Sequence, residues 1–318
     1  MLTQNLDADE PIALIIPDEY MGLRCDVALA KICDGISRTQ IVKWLKDGHI
    51  IINDSIAKPK DKLYGGESVV ITPIPTDSSY AYTPCDLPLD IIYEDEYILI
   101  INKPAGLVTH PGAGNWTDTL LNALLFHYPN AKNLPRAGIV HRLDKDTSGI
   151  MMIAKTLQAQ TKLVQMIQNR SVSRIYRAIV HGHPYKSGVI NKNIGRDIHN
   201  RTKMSACDVG GKEAITHFKV LEYFDKFSYI ECKLDTGRTH QIRVHMKHIK
   251  HQIVGDKTYG YGNNKIMSYS DEIQKAILNL NRQALHAITL QFQHPITNVP
   301  LDFKCNLADD IKYLLNCL

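Results

Sequence analysis

His141-Arg142-Leu143-Asp144-Lys145-Asp146-Thr147-Ser148-Gly149 places four charged side chains and a histidine within six positions. The apolar run from Ala137 to Val140 leads in, and Ile150-Met151-Met152-Ile153-Ala154 leads out. The stretch therefore reads as a polar loop feeding a buried strand, Gly149 to Ala154. A carboxylate held there lies close to the core, with Arg142, Lys145 and His141 as candidate partners. Most charged turns between strands are solvated and carry no chemistry, so the neighbouring sequence has to decide.

Downstream, Leu157 to Asn169 has helical spacing, and Ser173-Arg174-Ile175-Tyr176-Arg177-Ala178-Ile179-Val180 alternates as a strand. On that pattern alone Tyr176 is an ordinary strand aromatic. Residues 191–212 are polar and glycine-containing, as in a surface hairpin with basic residues available for RNA contact. Ala214 to Tyr223 and Ser228 to Leu234 read as strands. Thr236-Gly237-Arg238-Thr239-His240-Gln241-Ile242-Arg243-Val244-His245 then begins a helix. From Thr236 to Lys257 the chain carries its densest cluster of Arg, Lys and His. Upstream, Tyr97 to Asn102 reads as a strand ended by Lys103-Pro104-Ala105-Gly106, where Lys103 has a structural role. A helix is expected over Thr117 to Tyr128, capped by Thr117 and burying Leu120, Leu121, Leu124 and Leu125. His286 reads as a satisfied structural histidine, and Ala308 to Leu315 as a closing helix.

The nine residues around Asp144 closely resemble the active-site motif of the RluA/RluD family of pseudouridine synthases. The segments at Lys103, Arg174-x-Tyr176 and Thr236–His245 resemble further motifs of the same family, and the likeness runs from about residue 20 to about 315. It implies an α+β catalytic domain with a mixed, mainly antiparallel central sheet flanked by helices and loops. It implies that Asp144 is the catalytic aspartate, that Tyr176 packs on the target base and that Arg243 forms a salt bridge to the catalytic carboxylate. Arg142, with His141 beside it, takes the place of the displaced base or binds its phosphate. Arg238 and His240 touch RNA or organise their turn.

The implied reaction breaks the bond between uracil nitrogen and ribose, turns the base and rejoins it through carbon 5. It needs a carboxylate at the sugar–base bond, and no cofactor or metal. The sequence holds no phosphate-binding glycine loop or metal-ligand cluster. Asp144 could stabilise charge on the ribose, remove a proton from its 2′ carbon or attack covalently. The lead-in Pro135-Arg136-Ala137-Gly138-Ile139-Val140 and the segment from Arg282 to Ala287 look RluD-like. They imply 23S ribosomal RNA as partner, in the intersubunit stem-loop of a pre-ribosomal large subunit. The enzyme is expected to be a monomer. Two other classes compete: a non-catalytic RNA-binding assembly factor and a hydrolytic uracil glycosylase. Product analysis separates all three.

Before the catalytic domain, residues 18–75 carry two helical patterns and two short strands. Ser37 is the expected N-cap of the second helix, and Asn53-Asp54 and Gly65-Gly66 mark turns. This unit resembles an S-four-like αL RNA-binding module, with Cys25 where leucine is usual. Its Arg38, Lys43 and Lys46 are candidate phosphate contacts. Any RNA-binding face must be local, because residues 18–80 hold eight Lys/Arg against nine Asp/Glu. Residues 1–17 are expected to form a loose arm or an edge strand around Ile12 to Ile16, 76–88 a linker and 89–318 the catalytic domain.

The chain has 318 residues, enough for two domains, and a net charge of +4, which permits nucleic-acid binding without requiring it. Seven scattered cysteines with no C-x-x-C pair suggest reduced thiols in a cytoplasmic protein. No apolar run approaches the roughly 20 residues of a membrane span.

Overall fold

Ile12 and Leu14 turn inward while Ala13 and Ile15 face out, the period of two that makes β1 (Ile12–Ile15) a half-buried strand. The structure, a computed structural model, describes residues 11–33, 36–72, 81–112, 114–200, 202–262 and 266–318. The start of the expected arm, the expected linker as far as Tyr80, and Arg201 lie outside the described residues. Two compact units divide the chain, Met1–Tyr80 and Ala81–Leu318.

In the first unit, β1 is followed by α1 (Cys25–Ile32), α2 (Arg38–Lys46), β2 (Ile50–Ile52), β3 (Ser55–Ile56) and β4 (Ser68–Ile71). The strands form an antiparallel sheet in the order β1-β4-β2-β3. Ala28 and Leu29 of α1 and Ile41, Trp44 and Leu45 of α2 pack with Ile50, Ile52, Val69 and Ile71 of the sheet. Ser37 caps α2 as expected, its hydroxyl accepting from the Gln40 amide at 3.2 Å. The two-residue β3 was not legible in sequence. Asn53 and Asp54, with φ of 45° and 59°, form the tight turn that folds it back on β2.

The second unit opens with β5 (Ile91–Glu94), β6 (Ile98–Lys103), α3 (Leu120–His127), β7 (Ser148–Ala154) and α4 (Leu157–Gln168). β8 (Ser173–His181), β9 (Ser187–Asn191), β10 (Asn193–Arg196), β11 (Met204–Cys207), β12 (Ile215–Tyr223), β13 (Phe227–Leu234) and α5 (Gln241–His248) follow. α6 (Asp271–Leu280), β14 (Leu285–Gln293), β15 (Pro300–Lys304) and α7 (Asp309–Asn316) complete it. The large sheet runs β5-β6-β7-β14-β8-β13-β12-β9, with β15 added on β14. β10 and β11 pair separately as the expected hairpin. β7 and β14 are parallel and the other named pairs antiparallel, so the sheet is mixed and mainly antiparallel, as the resemblance implied.

β7 is buried at all seven positions. Ile150, Met152 and Ala154 pack on one face with Ala159 and Leu163 of α4. Met151 and Ile153 pack on the other with leucines of α3. A strand covered on both faces reads as an unbroken apolar run. At its start, Gly149 has φ +115°, and a Cβ there would stand 2.1 Å from the Ala287 carbonyl oxygen. Only glycine lets β7 meet β14 at the point where the Asp144 loop ends.

Two expectations are corrected. α3 is capped by Thr119, which forms a capping box with Asn122, and not by Thr117. The buried Asn122 amide also donates to the carbonyls of Ala81 (3.1 Å) and Thr83 (2.8 Å). The start of the segment 81–88, placed in the linker by its composition, is thereby tied to the second unit. β9, β15 and α6 were also missing from the sequence reading. Among the described residues no helix is long and apolar enough to cross a membrane.

Candidate active site

The loop before β7 supplies Asp144, β8 supplies Arg174 and Tyr176, and α5 supplies Arg243. All four line one cleft of about 650 Å³. The loop is fixed from below by its own backbone. The Thr147 amide donates to the Asp144 carbonyl at 3.0 Å, and Thr109 Oγ1 donates to the Leu143 carbonyl at 2.9 Å. Lys103 is fully buried beneath it and donates to the carbonyls of Pro104 (2.7 Å), Leu107 (2.8 Å) and Lys145 (3.0 Å). Burial pulls the Lys103 pKa down to about 7, against the pull of Asp146 and Asp144. Lys103 thus joins two turns, the structural role the sequence suggested.

Arg243 organises the carboxylates. Its Nη1 donates to Asp144 Oδ2 at 2.9 Å, while its Nε and Nη2 donate to Asp256 at 2.7 and 2.9 Å. Its guanidinium lies 5.0 Å from the centre of the Tyr259 ring. Burial works against the Arg243 charge, but the hydrogen bonds and charge of Asp256, and then Asp144, outweigh it and raise its pKa. Burial likewise opposes the Asp256 charge, yet Arg243 and the amides of Tyr259 and Thr258 hold its carboxyl below the usual range. The implied Arg243–Asp144 pair is therefore one edge of a wider clamp. Asp144 Oδ1 receives no hydrogen bond among the described residues, and His240 Nε2 is 3.9 Å from it. One carboxylate oxygen is held and the other faces the cleft.

Tyr176 is 6% exposed and lies in register between Cys232 and Ala287 at the centre of the sheet. Burial raises its pKa, so the hydroxyl stays protonated. His240 caps α5 with φ +58°, and its Nδ1 shares a 2.8 Å hydrogen bond with the Tyr259 hydroxyl. Burial lowers its pKa, although Asp144 pulls the other way. The helix begins only at Gln241. The preceding 236–240 turn is closed by Gln241 Oε1, which accepts from Thr236 Oγ1 at 2.7 Å and the Arg238 amide at 2.9 Å.

The other expected RNA contacts differ in how free they are. Arg142 and Arg238 are exposed at the cleft. Arg238 Nε also donates to the Glu213 carbonyl at 2.9 Å. His141 lines the cleft, but its Nε2 accepts from the Met152 amide at 3.0 Å and so braces the loop against β7. Burial, then the nearby Arg174, lowers its pKa to about 3. Arg38, Lys43 and Lys46 belong to the first unit. Arg38 pairs with Asp26 at 2.8 Å, and the two lysines are exposed on α2.

Sequence reasoning did not single out Arg174, Asp256 or Tyr259 as site residues. Asp256 left a signal: it is the only acid between Thr236 and Lys257, within the most basic stretch of the chain. A lone carboxylate among so many cations is a natural clamp for one of them.

A sheet carrying an aspartate loop, an inward tyrosine and an arginine clamp defines a class, and the chain belongs to the RNA pseudouridylate synthase family. The pattern of that family matches residues 97–248. Within the family the chain is of the RluD type. It is 49% identical over 313 residues to ribosomal large subunit pseudouridine synthase D of Neisseria meningitidis serogroup A, covering 98% of this chain and 83% of that protein. The protein of the same name from Xylella fastidiosa is 45% identical over 95% of this chain and 91% of its own length. Among solved structures, human RNA Pseudouridylate Synthase Domain Containing 1 aligns with a TM-score of 0.52 at 27% identity, over 69% of this chain and 83% of that one. The chain is an RNA pseudouridine synthase, an isomerase.

Proposed function

We propose that this enzyme isomerises uridines of 23S ribosomal RNA, in the intersubunit stem-loop of the pre-ribosomal large subunit, as a cytoplasmic monomer without metal or cofactor. The observation that carries the catalytic reading is the Asp144 carboxylate, held at one oxygen by Arg243 and open at the other beside Tyr176. The substrate reading rests on the printed names of relatives that match nearly the whole chain.

The target base first leaves its stack. Arg142, exposed at the cleft, fills the vacated place or holds the displaced phosphate. Asp144 Oδ1 acts at the ribose as the N1–C1′ bond breaks, as a charge stabiliser, a base at C2′ or a nucleophile. Tyr176 stacks on the freed uracil, worth about 1–3 kcal/mol, and keeps it in the cleft while it turns. C5 then bonds to C1′, the C5 proton is lost and N1 gains a proton, so the product is an isomer with no change of redox state. Arg243 keeps the carboxylate ionised and in one rotamer throughout.

The test is to delete the gene in its host and map pseudouridine chemically across all ribosomal and transfer RNA. Loss of sites confined to the intersubunit stem-loop is expected. Loss only in another large-subunit region, or only in transfer RNA, overturns the substrate reading and leaves the reaction in place.

A further inference from the structure

We infer that Arg174 is a phosphate-binding residue, its guanidinium receiving a phosphodiester of the strand that brings the target uridine into the cleft. The inference rests on the proposed reading of the cleft as a site for structured ribosomal RNA, and it adds a subsite that the Asp144–Tyr176–Arg243 set does not contain.

Arg174 lies two residues before Tyr176 on β8, so the two side chains leave the strand on the same face. It is 5% exposed and lines the cleft. Its Nε is buried without a hydrogen-bond partner, and no carboxylate pairs with it among the described residues. The other buried arginines among the described residues of this unit are satisfied. Arg243 grips Asp144 and Asp256, and Arg282 makes two hydrogen bonds to Asp310 at 2.6 and 2.7 Å. An unpaired buried charge is costly, and a bound anion would offset that cost.

The surroundings specify an anion. The two carboxylates that line the cleft are engaged: Asp144 with Arg243, and Asp235 with His217 at 2.7 Å. Arg136, Arg142 and Arg238 line the same cleft, leaving an excess of positive charge. A guanidinium offers a planar fork that matches two phosphate oxygens. Gly237 sets where that fork sits. A Cβ at Gly237 would stand 2.7 Å from Arg174 Nη1, so the guanidinium rests against bare backbone of the 236–240 turn. Any side chain at 237 would displace it.

The experiment uses the full chain and a stem-loop transcript of the host's large-subunit RNA, made with single neutral methylphosphonate linkages around the target uridine. One linkage is expected to weaken wild-type binding by about 10- to 100-fold, the worth of a hydrogen bond to a charged group. Arg174→Gln should weaken binding to unmodified RNA by a similar factor and be indifferent to that linkage. Its slope of log affinity against log salt should fall by about one. Gly237→Ala keeps the charge but moves the guanidinium, so it should also reduce sensitivity to that linkage. It carries the test if Arg174→Gln fails to fold. Effects of linkage and substitution that multiply independently at every position overturn the inference, including the case in which Arg174 reads a uracil carbonyl. A wild type that neither binds nor isomerises the transcript overturns the substrate reading and the inference with it. A wild type that does both, with no coupled linkage, overturns the Arg174 assignment alone.

Discussion

Asp26 in the first unit accepts from Arg24 at 3.0 Å and from Arg38 at 2.8 Å, and Asp144 in the second accepts from Arg243 at 2.9 Å. The contacts are alike but the burial is reversed. The Asp26 side chain is 2% exposed, while those of Arg24 and Arg38 are 42% and 55% exposed. Both Asp26 oxygens are occupied. Burial would raise the Asp26 pKa, but the hydrogen bonds of Arg38 and then Arg24 bring it below the usual range. At the cleft the arginine is buried, at 7%, and the Asp144 side chain is the more open member, at 15%. A buried carboxylate with every oxygen filled anchors a fold. A carboxylate fixed at one oxygen by a buried cation is oriented and still available to a substrate.

The sharpest test of that contrast is removal of the Asp144 charge. Asp144→Asn should lower turnover by at least ~10³-fold. RNA binding should stay within a few fold and the thermal unfolding midpoint should hardly move, because no buried partner is stranded: Arg243 keeps Asp256. Substantial turnover by the purified variant would remove Asp144 from the chemistry and reduce the contrast to one of burial.

The arginines should separate next. Arg243→Met leaves Asp256, whose side chain is 1% exposed, without its cation. A stranded buried charge costs about 3–5 kcal/mol. Arg38→Met removes a half-exposed partner and leaves Arg24 on Asp26, so about 0–1 kcal/mol is expected. Chemical denaturation of each unit's transition measures both. Equal losses would mean that burial of the arginine does not distinguish the two clamps.

How far this was legible in sequence differs between the two places. The Asp144 loop announces itself, since charged residues between two apolar runs carry both a period and a motif. The unbroken run at β7 correctly signalled a buried strand, and the structure adds that it is covered on both faces. The second partner of Arg243 did not show, because Asp256 lies 13 residues further on and reaches it only through the fold. Arg174 showed only as a neighbour of Tyr176 in a motif, with no role of its own, for a related reason: its importance lies in a missing partner, and absence of a partner is a property of three dimensions. Thr117 and Thr119 are equally good caps by type, and Asn122 decides between them by closing the capping box. β3, β9 and β15 are too short, or too polar on one face, to carry a periodic signal of their own.

Acid should expose a difference of moderate size. Burial lowers the pKa of His286 and of His110 to about 4, and that of His141 to about 3, all in the second unit. Each is neutral in the fold and protonates near 6.5 when unfolded. As pH falls below 6.5 the unfolded state takes up protons that the native state refuses, so stability present above 6.5 is lost progressively towards pH 4 and 3. Each histidine steepens the decline by at most about 1.4 kcal/mol per pH unit. His286 bonds Ser148 at 2.8 Å and Cys305 Sγ at 3.1 Å. His286→Gln should therefore lower stability at neutral pH and flatten the acid decline of the second unit's transition. An unchanged slope would show that His286 protonates in the native state.

The smallest effects should come from the exposed cations of the first unit, and they test whether that unit touches RNA. Lys43 and Lys46 lie three residues apart on α2, hence side by side on one face. Both are exposed and carry no ion pair among the described residues. Arg38, on the same helix, is already committed to Asp26. A cation free to neutralise a phosphate releases a counterion, and each such contact contributes about 0.9 to the slope of log affinity against log salt. Lys43→Ala with Lys46→Ala should lower that slope by nearly two for binding to large-subunit RNA, with turnover of bound RNA unchanged. Arg38→Ala should lower it by less than one, because Asp26 competes with phosphate for the same guanidinium. Titrations at several salt concentrations give both numbers. No change for the lysine pair would show that this face of α2 does not meet the RNA. A full unit of slope from Arg38 would show that Asp26 gives up its partner when RNA binds, and that the first clamp is no more closed than the second.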